Sequence, residues 1–202
     1  MSCASIILLY LGLNSPSPAL FFSDKCCVCS RYIQIDDPMI AMLVDAAYLT
    51  TQRHEGNSLA TLLKPAILAH RAATRSLPPE LNIAIHLCRG NNPKGDTVAI
   101  GGFDAILPVL FRELPGYGRW ALEFDDPAVT GGMEVLSSLP QGKVVVLGLV
   151  TTKTNVVESV GEVKERVMEA ARVVARGQGR GVEEVLGDSL AVSPSCGFAS
   201  LK

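Results

Sequence analysis

The sequence predicts an α/β fold of parallel strands, arranged as a partial (β/α)8 barrel. Three observations carry that expectation. Five short apolar runs alternate with longer stretches of helical period, the pattern of successive βαβ units. One run, Trp120 to Asp125, sorts its own faces: Trp120, Leu122 and Phe124 are bulky and apolar, while Ala121, Glu123 and Asp125 point the other way. A closed barrel needs eight strands and typically about 250 residues, and this chain has 202. The count therefore predicts either an open sheet or a piece of a larger barrel, with no room for a final helix.

In chain order, the first apolar stretch is Ser5 to Leu13. It is too short to span a bilayer, which takes about 20 residues. It has no basic residue ahead of it, so it fits a secretory leader poorly, although the region of Ala19 is a conceivable cleavage point. A buried strand or helix is the plainer reading. The strand-like runs are Tyr32 to Asp36, Asn82 to Cys88, Trp120 to Asp125, Lys143 to Leu149 and Ser189 to Ser193. Helical patterns cover Met39 to Gln52, Leu59 to Arg75, Phe103 to Leu114 and Val160 to Ala175. The last has an apolar stripe of Val163, Val167, Ala170, Ala171 and Val174, with Glu162, Lys164, Glu165 and Arg166 outside it. Gly179-Arg180-Gly181 follows no strand, so it reads as a surface turn and not a phosphate loop.

Composition narrows the function classes. Eighteen Lys and Arg against 20 Asp and Glu leave the chain nearly neutral. There is no basic run, so no nucleic-acid partner is expected. No membrane partner is expected either. The six cysteines have no framework spacing, and a chain of this length needs no disulfide staples. A reducing cytoplasm is the expected location.

The chemistry gathers at Asn82-Ile83-Ala84-Ile85-His86-Leu87-Cys88-Arg89-Gly90. His86 and Cys88 stand two apart on a strand, so they share a face. An imidazole and a thiolate on one face make half of a zinc site. Glu123 and Cys196 are the candidates for the other half. An inward-pointing Glu123 needs a cation or strong donors, and a metal ion meets that need. The plainer reading is a packed core histidine beside a buried free cysteine. Cys26-Cys27-x-Cys29 has metal-like spacing but no partner cluster nearby. Lys153 reads as an exposed loop lysine, with a substrate-carboxylate contact as the alternative. His54 and His70 lie in polar helical contexts and carry no signal.

Five segments in order carry a family resemblance. They are Gln34-Ile35-Asp36-Asp37-Pro38, His86-Leu87-Cys88-Arg89-Gly90-Asn91, Leu122-Glu123-Phe124-Asp125, Val146-Leu147-Gly148-Leu149-Val150-Thr151-Thr152-Lys153-Thr154 and Ser193-Pro194-Ser195-Cys196-Gly197-Phe198. Together they resemble the catalytic barrel of cobalamin-independent methionine synthase, with the single-barrel branch of that superfamily the nearer match. The resemblance covers roughly 29 to 200 and leaves 1–28 as an atypical N-terminal segment before a 29–202 barrel domain. It implies a TIM-type barrel, here with its N-terminal strands and final helix missing, and a zinc ion held by His86, Cys88, Glu123 and Cys196. It implies that Asp36 contacts the amino group of homocysteine. Asp37 before Pro38 then remains free to cap the following helix.

The implied reaction is zinc-dependent methyl transfer to the thiol of homocysteine, from a methyltetrahydrofolate, giving methionine. A free thiol titrates near pH 8.5 and is a poor methyl acceptor at neutral pH until a metal deprotonates it. The alternatives are another zinc-dependent alkyl-to-thiol transfer, or a non-catalytic truncated member of the family.

Overall fold

Six parallel strands form one sheet in strictly sequential order. The computed structural model describes residues 5–8, 31–91, 97–155 and 157–198. The strands are β1 (Ser5–Leu8), β2 (Tyr32–Asp36), β3 (Asn82–Leu87), β4 (Arg119–Glu123), β5 (Val144–Val150) and β6 (Leu190–Pro194). Five match the expected runs to within two residues, and β1 falls inside the Ser5 to Leu13 stretch. Cys26, Cys27 and Cys29 lie outside the described residues. Sequential order with every neighbour parallel is the connectivity of a (β/α) barrel wall.

The helices connect these strands and cover one face. They are α1 (Pro38–Met42), α2 (Ala46–His54), α3 (Leu59–Thr74), α4 (Leu107–Glu113), α5 (Pro127–Thr130), α6 (Val160–Gln178) and α7 (Val182–Asp188), with a 3-10 turn at Glu134–Ser138. The helix expected over Met39 to Gln52 is two helices. Asp45 breaks it, because its side chain accepts the Tyr48 N–H and starts α2 as a cap. The helix expected from Phe103 begins at Leu107, with Pro108 in its first turn, where no N–H is needed. Helix α6 matches its apolar stripe. Ser159 and Glu162 form a reciprocal cap at its start, and left-handed Gly179 ends it.

The core lies between sheet and helices. Ile33, Ile35, Ile83, Ile85, Leu87, Trp120, Leu122, Val145, Leu147 and Leu149 are buried there, against Leu63, Ile67, Leu107, Leu110, Ala171 and Val174. Each large side chain buried this way contributes about 1.5–3 kcal/mol. Phe111 meets the Trp120 ring edge-on at 4.8 Å between centroids. The opposite face is smaller and more polar. Tyr32, Gln34, Asp36, Ala121 and Val146 on it are only half-buried. This is the alternation that the Trp120 strand displayed.

Candidate metal centre

Strand register assembles the site. Asp36 pairs with His86, and His86 with Ala121. Glu123 pairs with Gly148, and Gly148 with Ser193. In a parallel sheet all the carboxyl ends lie on one edge. That edge therefore carries Asp36, His86, Cys88, Glu123, Lys153 and Cys196, each at a strand end or in the loop after it. One ligand atom each from His86, Cys88, Glu123 and Cys196 lie within 4.8 Å of one another. The Cys88 and Cys196 sulfurs are 3.3 Å apart, and His86 Nε2 is 3.9 Å from Glu123 Oε1.

Gly148 makes this convergence possible. A Cβ there would stand 2.9 Å from Ser195 Cα and 3.0 Å from the Leu122 carbonyl oxygen. Only a residue without a side chain lets the Ser195-Cys196 turn and the end of β4 close in on β5. Asn91 fastens the turn from the other side, its Nδ2 donating to the carbonyl of Gly197 and to Thr152 Oγ1 at 3.1 Å.

The donor set suits zinc: two sulfurs, one imidazole nitrogen and one carboxylate. His86 is also held as a metal ligand would be. Its Nδ1 donates to the Ala121 carbonyl at 3.2 Å, which leaves Nε2 as the basic nitrogen on the cluster side. The two thiols share their protons unequally. Contact with Cys196, then burial, pushes the Cys88 thiol far above its usual range. The Cys88 hydrogen bond brings Cys196 down to about 4, against burial and with help from His86. Burial draws His86 down, but Cys196, Asp36 and Glu123 outweigh it and hold the imidazole above its ordinary value.

Glu123 is fully buried. Its Oε1 accepts the Arg89 N–H at 2.7 Å, and its Oε2 accepts from Lys153 Nζ at 2.6 Å. Burial raises its carboxyl above the usual range, while Lys153 and Arg89 resist that rise. Lys153 also reaches Asp125 Oδ2 at 3.3 Å, and its side chain is 8 % exposed. The expected exposed loop lysine is therefore a buried part of the site. Spacing carried no sign of it, because a loop after β5 sets its direction. The apparently silent His70 is likewise buried. It bridges Asp37 Oδ2 at 2.8 Å and the Tyr117 hydroxyl at 2.6 Å. Asp37 caps α1 through the Ile40 N–H, as its place before Pro38 suggests.

A cleft of about 340 Å³ opens beside the cluster, lined among others by Gln34, Asp36, His86, Ser193, Cys196 and Phe198. Asp36 is oriented within it. Gln34 Nε2 donates to Asp36 Oδ1 at 2.9 Å, and the Tyr32 hydroxyl donates to Gln34 Oε1 at 3.2 Å.

Comparison with known proteins agrees with this architecture. Residues 122–202 match the family model for the catalytic domain of cobalamin-independent synthase. The chain is 34% identical over 180 residues to the uncharacterized protein YxjG of Bacillus subtilis, covering 89% of this chain and 43% of that protein. It is equally similar to YxjH of the same organism, over 182 residues. Among solved structures, it resembles a putative vitamin-B12-independent methionine synthase from Listeria monocytogenes. That match has a TM-score of 0.59 and 26% identity, over 85% of this chain and 43% of the other. A B12-independent methionine synthase from Shewanella sp. W3-18-1, solved with selenomethionine, shares the fold at TM-score 0.53 and 20% identity. That match covers 86% of this chain and 43% of the other. The chain thus spans less than half the length of the proteins it matches. Residues 122–202 are thus similar to the catalytic domain of cobalamin-independent synthases, and the sequential parallel sheet resembles the fold of the solved structures that it matches.

Proposed function

We propose that this chain carries the thiol-activating portion of a zinc-dependent methyltransferase, which moves a methyl group from a methyltetrahydrofolate to homocysteine. The observation that carries the reading is the meeting of two sulfurs, an imidazole and a carboxylate within 4.8 Å, beside a cleft that holds an oriented aspartate. His86, Cys88, Glu123 and Cys196 would hold the zinc. Bound there, zinc would lower the pKa of a thiol so that it reacts as a thiolate at neutral pH.

The chain's own residues supply binding and orientation. Asp36, fixed by Gln34, presents a carboxylate suited to the α-ammonium of an amino acid. Phe198 and Pro194 give the same cleft an apolar border for the short methylene chain. Ala121 holds the imidazole of His86 by its Nδ1 proton. Lys153 neutralises the buried charge of Glu123, and the Arg89 backbone N–H donates a hydrogen bond to it. Among the described residues no helix is long and apolar enough to cross a membrane. A reducing cytoplasm suits Cys88 and Cys196, which are free thiols.

The test is zinc analysis of the purified chain together with a homocysteine-dependent methyl transfer assay. About one zinc per chain and methionine formation are expected. A folded chain that takes up no zinc would overturn the reading. Methyl transfer to a different thiol would move it to the alkyl-to-thiol alternative.

A further inference from the structure

We propose that Lys153 is a positioning residue for the metal centre: its ammonium occupies one oxygen of Glu123, so that this carboxylate offers an ion its other oxygen alone. The proposal rests on the zinc reading above. The two oxygens of Glu123 have different neighbours. Oε1 lies 3.9 Å from His86 Nε2 and, among the described residues, accepts the Arg89 backbone N–H. Oε2 is 2.6 Å from Lys153 Nζ. Asp125, the next inward carboxylate on the same strand, is drawn to the same ammonium at 3.3 Å.

Burying an ammonium is costly unless carboxylates face it, and here two do. The contact has a direct chemical consequence. A carboxylate with both oxygens free can bind a cation through two atoms, and the second oxygen then fills a place that an incoming thiol requires. With Oε2 held, Glu123 can supply one oxygen. A positive charge at hydrogen-bond distance also weakens that oxygen as a donor. Glu123 is thereby made the ligand that yields most readily, while Asp125 is kept off the ion.

The test compares Lys153→Met and Lys153→Arg with the wild type in the full 202-residue chain. Zinc dissociation constants come from competition with a chromophoric chelator, and ligand counts from zinc X-ray absorption. Lys153→Met should tighten zinc binding by at least about ten-fold, since it removes a like charge next to a ligand. It should also add one oxygen neighbour relative to wild type. Lys153→Arg keeps the cation and should retain the wild-type constant and count. If Lys153→Met folds only when zinc is added, the zinc dependence of refolding gives the same constant and the same comparison. A constant that stays or rises, or an unchanged oxygen count, overturns the proposal. A folded wild-type chain that binds no zinc is a separate result, and it overturns the metal reading itself.

Discussion

Cys88 and Cys196 place two sulfurs 3.3 Å apart, and their contact draws the Cys196 thiol below its usual range while it pushes the Cys88 thiol above. Metal binding at such a pair must expel the Cys88 proton, so the sulfur at 88 decides affinity. Cys88→Ser removes it, since a serine hydroxyl stays protonated at neutral pH. Zinc affinity should fall by orders of magnitude, while stability changes by only about 1–3 kcal/mol, the cost of a buried hydroxyl. A zinc titration beside a thermal melt measures both, and full zinc occupancy in the folded variant would contradict the assignment. His86 and Cys88 were legible because strand alternation is rigid: two residues apart means one face. Lys153 was not legible, because nothing in a loop's composition says whether its lysine turns inward. His70 was not either, since its partners Asp37 and Tyr117 stand 33 and 47 residues away.

Elements are joined by a few buried polar contacts, and the fold depends on them in predictable ways. His70 on α3 ties the Asp37 cap of α1 to Tyr117 ahead of β4. With Nε2–H donating to the carboxylate, Nδ1 accepts from the Tyr117 hydroxyl, and both groups are satisfied. His70→Ala strands a buried carboxylate and a buried hydroxyl, and should cost about 3 kcal/mol in urea denaturation. Burial, and then the charge of Asp37, pushes the Tyr117 hydroxyl well above its ordinary range. The folded chain therefore prefers neutral Tyr117. The stability this gives is whole below about pH 10 and is lost above it, as the unfolded chain sheds its phenolic proton. Tyr117→Phe should flatten that alkaline fall, read as denaturation midpoints between about pH 9 and 11. On β5, Gly148→Ala would drive a methyl into the backbone of Ser195 and Leu122. It should cost about 1–3 kcal/mol and weaken zinc binding, because the strain falls on the turn that carries Cys196. At this scale the five described strands after β1 were readable from apolar runs. The split of α1 from α2 was not read, because a single capping aspartate outweighs a continuous helical pattern.

For the whole molecule, the governing fact is a sheet that does not close on itself among the described residues. Its order runs from β1 to β6 with no pairing between the two. The outer backbone of each edge strand thus lacks a strand partner within the described sheet, and unpaired N–H and C=O groups recruit other strands. Among the described residues, no element covers the face that carries the cleft. Gln34, Asp36, Ala121, Val146 and Ser193 stand half-buried or exposed, where a barrel interior would be packed. The helices pack the opposite face, so they cannot shield this one, and Phe198 beside the cleft is 64 % exposed. On the helix side, Val192 of edge strand β6, in register with Leu147, is 48 % exposed. Two forces then favour association: satisfaction of edge hydrogen bonds, and removal of apolar surface from water at about 25 cal/mol per Å². The 202-residue chain expressed alone should accordingly self-associate as its concentration rises, or join a further segment that completes the wall. Light scattering behind size-exclusion chromatography, run across a hundred-fold concentration range, measures this directly. A lone species of 21.5 kDa at every concentration, unfolding in one sharp cooperative transition, would mean that the open sheet is self-sufficient and that the edge argument fails.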